Sequence, residues 1–233
     1  MPTLLFRLCG PMQSYATDAR FTQEPRCATE PSKSAIIGIL AASLGRARGA
    51  DLADLVALRL GVRVERQGRV ATDYVTAGVG QGVWTAAGKL RADGVVRHVA
   101  YLEDADFLAG VEGPDVASLE RLDAALGAPV FAIGLGRRAY PPSVPLQLPP
   151  DPPWGPGVHA EGLEDALRAY PVAAPTWGSL PRRLRLEVEV PPERVPDCPP
   201  STLTWRRDVP DRDVLRPVQT SWLDVGAPLR RLT

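Results

Sequence analysis

Leu8-Cys9-Gly10-Pro11-Met12-Gln13-Ser14-Tyr15, followed by Pro31-Ser32-Lys33-Ser34-Ala35-Ile36-Ile37-Gly38, marks the point at which a first strand gives way to a first helix. Residues 3–9 alternate loosely and stop at Gly10-Pro11, a pair that turns the chain sharply. Ile36, Ile37, Ile39, Leu40 and Leu44 make a broad apolar face, so a helix is predicted from about 32 to 44, with Pro31 suiting its first turn and Gly45 its stop. Turn and helix start together supply backbone donors, Gln13, Tyr15, Arg20, Arg26 and Lys33. None of these is a plausible hydrolytic nucleophile paired to a base, so the set suits holding a phosphate backbone rather than cutting a substrate.

Working outward, 51–60 reads as a second helical stretch ending at Gly61, and Val62-Arg63-Val64-Glu65 alternates like a strand. From about 66 to 97 the chain is rich in Gly, Thr and Val, with Gly78, Gly80, Gly82, Gly88 and Gly94 punctuating short strand-like pieces, which predicts a long hairpin or insertion projecting from the sheet. Alternation resumes at His98-Val99-Ala100-Tyr101-Leu102 and at 105–111. A helix over 114–126 follows, with Val116, Leu119, Leu122 and Leu126 on one face, and 130–135 reads as another strand.

Without the insertion the order is strand, helical region, strand, strand, helix, strand, the split βαβ arrangement of ferredoxin-like and RNA-recognition-type domains. Such an α+β sheet carries two helices on one face and leaves the other free to meet a ligand. The expected organisation is therefore a ferredoxin-like domain over 1–140 with its insertion at about 66–97. A Pro-rich connector over 141–157 and a small Pro-rich β subdomain over 158–233 follow, the latter with a helix at 163–170 and a strictly alternating strand at 184–190.

The 233 residues suffice for one good core with room for a second small domain. No apolar run reaches the roughly 18 residues of a membrane span, and the N-terminus lacks a secretory pattern, which predicts a soluble cytoplasmic protein without a membrane partner. Cys9, Cys27 and Cys198 are widely spaced with no Cys-x-x-Cys pair, arguing against disulfides and zinc. No cofactor and no metal site is expected. Net charge is +0, from 27 basic and 27 acidic residues, and weighs against a nucleic-acid partner. Residues 1–50 nevertheless carry an excess of basic groups: Arg7, Arg20, Arg26, Lys33, Arg46 and Arg48 against Asp18, Glu24 and Glu30.

The helix start after Pro31 is the strongest local candidate site. Free N-terminal amides and the macrodipole attract an anion there, and Ser32, Lys33 and Ser34 add hydroxyls and a charge, although such a triplet is more often an ordinary cap. Leu135-Gly136-Arg137-Arg138 is the second candidate, because the glycines at 134 and 136 let backbone approach phosphates while Arg137 and Arg138 fork onto them; the bland alternative is a solvated turn. Gly78-Val79-Gly80-Gln81-Gly82 fits neither the dinucleotide nor the Walker spacing. His98 and His159 are the only histidines; a lone strand histidine is more often structural than catalytic, but a role for His98 stays open. Glu103, Asp104 and Asp106 lack spaced partners for a metal and read as a solvated acidic turn.

Taken jointly, Leu8 through Tyr15, Pro31-Ser32-Lys33-Ser34 with Gly38 and Leu40, Arg97 through Phe107, and Leu135-Gly136-Arg137-Arg138 followed by Pro141 and Pro145-Leu146 resemble the CasD family of the type I-E CRISPR Cascade complex. The motifs span about the first 146 residues in order. The C-terminal third is similar only in general character, with a counterpart around Arg206-Arg207-Asp208 and Asp213.

The resemblance implies a RAMP-type protein: a ferredoxin-like domain bearing a long β-hairpin thumb, plus a small C-terminal β domain. It implies a non-catalytic subunit that grips the 5′ handle of the CRISPR RNA and caps the complex in antiviral defence. The CasC backbone subunit and the large subunit CasA would be neighbours, and target DNA would be met through the assembly. On this family picture backbone amides near Gly10, Met12 and Ser14 hold the RNA, Gln13 meets a base edge and Tyr15 stacks, where relatives carry Trp. Arg20, Arg26, Lys33, Arg137 and Arg138 meet phosphates beside Ser32 and Ser34, and Tyr74 and Trp84 are thumb residues for packing or stacking. The rival expectation is a metal-independent endoribonuclease that processes precursor RNA with His98 and either Tyr74 or Lys89 as acid and base.

Overall fold

The computed structural model describes residues 1–15, 27–85, 87–150, 157–172, 183–189 and 218–224. The first strand, β1 (Thr3–Cys9), is followed by the two-residue β2 (Met12–Gln13) and by helix α1 (Lys33–Ser43), with Ser32 as N-cap. A short α2 (Ala53–Ala57) leads into β3 (Arg59–Arg66), which begins inside the stretch 51–60 read as helical, three residues before the strand expected from Val62. The hairpin is β4 (Arg69–Ala77) and β7 (Val95–Glu103), with the small β5 (Val83–Trp84) and β6 (Leu90–Arg91) at its end. Then come β8 (Asp106–Glu112), α3 (Val116–Gly127), β9 (Val158–His159), α4 (Leu163–Ala169), β10 (Arg183–Glu189) and β11 (Val218–Asp224).

Six strands form one antiparallel sheet in the order β11-β10-β3-β8-β1-β9. The hairpin belongs to a second sheet, β2-β7-β4, which β2 ties to the body by pairing Met12 with Glu103 and Gln13 with Leu102. Its legs pair without interruption from Arg69↔Glu103 to Ala77↔Val95, so His98–Leu102 belongs to the hairpin rather than to a strand of its own.

Period-2 alternation sends Leu4, Phe6 and Leu8 of β1 to one sheet face and Leu5 to the other. The first face meets Ile36, Ile37, Leu40 of α1 and Leu119, Leu122, Leu126 of α3 in the main core, each full burial contributing about 1.5–3 kcal/mol. Asp115 caps α3 by accepting from the Ser118 amide at 2.7 Å.

Three expectations are corrected. Residues 130–135 are not a strand: the Val130 and Phe131 amides donate to Ser43 and Ala42 carbonyls at the end of α1, so they cannot also join the sheet. The place on the far side of β1 is taken instead by β9, with Thr3 opposite His159, and by a bridge from Phe6 to Gln147.

The second sheet face is not free. Leu163, Ala166, Leu167 and Tyr170 of the α4 segment cover Leu5, Leu108, Leu186 and Val188. Gly61 and Gly110, directly opposite in β3 and β8, make the room: a Cβ on Gly61 would lie 2.6 Å from Leu167, and one on Gly110 would lie 2.9 Å from both Leu163 and Leu5.

The described residues beyond 158 form no sheet of their own. β10 pairs with β3, and β11 with β10, so they widen the first sheet. Arg63, fully buried, fastens α4 there by donating to the carbonyls of Leu167 and Tyr170, both at 2.6 Å, and of Pro171 at 3.1 Å. Its counter-ion is Glu65, whose Oε2 has no partner among the described residues and whose carboxyl burial pushes above the ordinary range.

Candidate nucleic-acid interface

The turn after β1 is built inward. Gln13 is fully buried; its Nε2 donates to the Ala105 carbonyl at 2.7 Å and to the Leu8 carbonyl at 3.2 Å, and its Oε1 accepts from the Tyr15 hydroxyl at 2.6 Å. Tyr15 is equally buried, its ring edge-on to Phe107 at 6.2 Å, and burial drives its hydroxyl pKa far up. Ser14 donates from its hydroxyl to Ala100 O at 3.0 Å and from its amide to Leu135 O at 3.0 Å. Gly10 is backed by Leu135, 2.8 Å from where a Cβ would stand, and Met12 lies half-buried in β2. The expected base contact of Gln13, the stacking of Tyr15 and a phosphate contact from Ser14 are therefore corrected: the Gln13 amide and the Tyr15 ring are consumed inside the body, and the Ser14 donors in joining it to the hairpin and to Leu135.

The start of α1 is a cap rather than an anion site. Ser32 Oγ accepts from the Ala35 amide and lies 3.2 Å from Ser34 Oγ. Lys33 turns away from the helix end: its Nζ donates to Leu58 O at 2.6 Å and pairs with Glu189 at 3.0 Å, both side chains almost wholly buried. Glu189 also accepts from the Leu60 amide, and its carbonyl from Arg59, so Lys33 locks α1 to β3 and β10. Its expected phosphate contact is corrected for that reason. Arg20 and Arg26, like Arg206, Arg207 and Asp213, lie outside the described residues.

The Gly136-Arg137-Arg138 turn does present cations. Gly136 has φ +81°, and a Cβ there would collide with Ser14 O, so this turn needs glycine and sits against the residue that anchors the hairpin. Arg138 is exposed, with no side-chain partner among the described residues. Arg137 is half-buried: its guanidinium lies 5.3 Å over the Tyr140 ring, donates to the Tyr140 hydroxyl at 2.9 Å and comes within 4.0 Å of Asp73 on β4. Tyr140 in turn packs on Tyr101 of β7, ring centroids 5.9 Å apart.

Sequence reasoning missed Asp73, Tyr101 and Tyr140. The one available signal was an aromatic three residues beyond Arg137, at the span of a turn. The acidic run was also misread in part, since Asp106 is buried against Arg7 and Glu103 pairs with Arg69, leaving Asp104 in the turn at φ 56°.

The hairpin's outer face is bare. Tyr74 is 61% exposed and stands edge-on to exposed His98 at 5.3 Å; Trp84 is 71% exposed, and Lys89, Arg91 and Arg97 are exposed elsewhere on the hairpin, Arg97 on the ribbon face opposite His98. At the hairpin base, a depression of about 540 Å³ is lined by Arg66, Gln67, Gly68, Arg69, Glu103 and Asp104. A ribbon carrying exposed rings and exposed cations, with a cationic glycine turn near its base, is chemically suited to single-stranded nucleic acid.

The model of the family described as "CRISPR-associated protein (Cas_Cas5)" matches residues 3–222. The chain belongs to this Cas5 family. One similar solved structure, titled "Crystal structure of Cas protein", is 38% identical, with 81% of this chain and 80% of that one covered and a TM-score of 0.61. Another, from a "CRISPR RNA-guided surveillance complex", is 31% identical over 80% of this chain and 77% of its own, with a TM-score of 0.66. No curated protein matches. The CasD-type resemblance holds at the level of this Cas5 family, and the mixed α/β architecture with antiparallel sheets is similar to that of the solved Cas proteins. Among the described residues, no helix is long and apolar enough to cross a membrane.

Proposed function

We propose that this Cas5 family member is the type I-E subunit that holds the 5′ handle of CRISPR RNA and caps the Cascade backbone, without cleaving the RNA. Membership of the family and likeness to a chain of an RNA-guided surveillance complex support this reading. The observation that carries it is the placement of exposed Arg138 and half-exposed Arg137 on a glycine turn beside a ribbon bearing exposed Tyr74 and Trp84. Arg138 and Arg137 meet phosphates, Tyr74 and Trp84 pack on bases or on the CasC neighbour, CasA lies nearby, and target DNA is met through the assembly in the cytoplasm. The unit from β1 to β9 is read as a ferredoxin-like domain, supported by β8 lying antiparallel between β1 and β3.

Titrating labelled handle RNA tests this. Arg138→Glu should weaken binding and lower the salt slope by about 0.7 per lost phosphate contact. An unchanged slope would remove Arg138 from the interface.

One observation favours a second reading, the endoribonuclease: Tyr74 and His98 face each other, exposed, on neighbouring strands. Incubation with precursor repeat RNA separates the two. Cleavage lost in His98→Ala would establish the enzyme, and intact RNA with the parent protein would dismiss it.

A further inference from the structure

Three elements meet at Arg137. The turn folds back on itself, with the Leu135 amide donating to Tyr140 O at 2.7 Å and the Tyr140 amide to Arg137 O at 3.0 Å. Gly136 presses on Ser14, whose hydroxyl reaches Ala100 of the hairpin. The Arg137 guanidinium, resting on Tyr140, spans the remaining gap to Asp73, a hairpin residue opposite Val99. The Tyr140 contacts are close and buried on one side, whereas the Asp73 contact is long, one-sided and open to solvent, with 33% of the Arg137 side chain and 40% of the Asp73 side chain exposed.

An aromatic bed fixes where the guanidinium lies, and a loosely held carboxylate occupies the side from which an anion would approach. A pair of that kind is weak, and a phosphate offering a forked contact displaces it readily. We propose that Asp73 is an internal stand-in for an RNA phosphate: in the RNA-free chain it draws the hairpin toward the Arg137 turn, and RNA binding at Arg137 releases it. Asp73 is thus a positioning residue that couples occupancy of the turn to the freedom of the hairpin. The inference rests on Arg137 being an RNA contact, as proposed above.

The test uses the full chain with Asp73→Asn, Arg137→Ala and the double variant, and with Asp93→Asn as a control for removing an exposed hairpin acid. Two quantities are read: handle-RNA affinity at low salt, and hydrogen exchange along β4 without RNA. Asp73→Asn should tighten RNA binding by up to about fivefold. It should do so more than Asp93→Asn, with the gain disappearing in the Arg137→Ala background. It should also raise exchange along β4 in the absence of RNA. An affinity gain equal to that of Asp93→Asn, or one that survives Arg137→Ala, would reduce the effect to general charge and overturn the coupling. If the parent chain binds no handle RNA, the proposed function fails separately; unchanged β4 exchange in Asp73→Asn then overturns the hairpin restraint on its own terms.

Discussion

Gly61 and Gly110 stand opposite each other in the six-stranded sheet and lie beneath Leu163 and Leu167 of α4, whereas Tyr74 and His98 stand opposite each other in the hairpin and face solvent. The first pair gives up side chains so that a helix can come close; the second keeps large rings that nothing within the described chain covers. A sheet covered on both faces owes its stability to packing and to buried charges that fasten the cover. A two-stranded ribbon held mainly by its own ladder and by β2 has little to lose when its outer side chains change. The two regions should therefore answer substitution oppositely: stability without direct effect on RNA in the body, RNA binding without effect on stability in the hairpin.

The hardest blow to the body should come from Arg63→Met. It leaves Glu65 buried without its cation and strips a donor from the carbonyls at the end of α4. Breaking one partner of a buried pair costs about 3–5 kcal/mol, read as a shift in the urea midpoint. A shift no larger than that of a surface substitution would mean that α4 is held by its leucines alone. Gly61→Ala and Gly110→Ala come next, at about 1–3 kcal/mol each, because the added methyl would meet side chains that are themselves packed.

Much of the body was legible before its structure. The apolar spacing of α1 and α3 and the punctuation of the hairpin by glycines are local signals, and the elements stand close to where those signals put them. The placement of α4 was not legible, although an isolated Gly61 in a strand pattern hints at close backbone approach. Residues 130–135 carry an apolar pattern that reads as a strand, and nothing local tells that the Val130 and Phe131 amides go to the carbonyls of α1 instead. The candidate site was least legible where polar residues turn inward. Gln13 spends its amide on Ala105, and Lys33 its charge on Glu189, partners 92 and 156 residues away that no local pattern reveals. The exposure of Arg138 was legible because a charged residue after a glycine in a turn faces solvent by local chemistry, even though the turn itself rests on Ser14.

Glu65 sharpens the comparison through pH. Burial raises its carboxyl above the ordinary 4.5. An acid whose folded pKa lies above its unfolded one contributes stability that is fully present below the unfolded value and is lost as pH rises through the folded one. Relative to the parent, Glu65→Gln should therefore gain stability as pH climbs from about 4 to neutrality, since the amide has no proton to lose. Parallel urea midpoints across that range would show that the carboxyl titrates normally and that its burial carries no such penalty.

The smallest effect on stability, and the one that most directly opposes the body to the hairpin, belongs to Tyr74→Ser and Trp84→Ser. Both rings are more exposed than buried, so removing them should move the urea midpoint by no more than about 0.5 kcal/mol equivalent. If the rings stack on bases, handle-RNA affinity should still fall, by about 1–3 kcal/mol for each stacked base lost. A protein that unfolds more easily without Tyr74 would show that the ring packs on something within the chain. One that stays stable and binds RNA as before, yet no longer joins the backbone subunit, would assign these rings to protein contact, with the RNA held at the Arg138 turn alone.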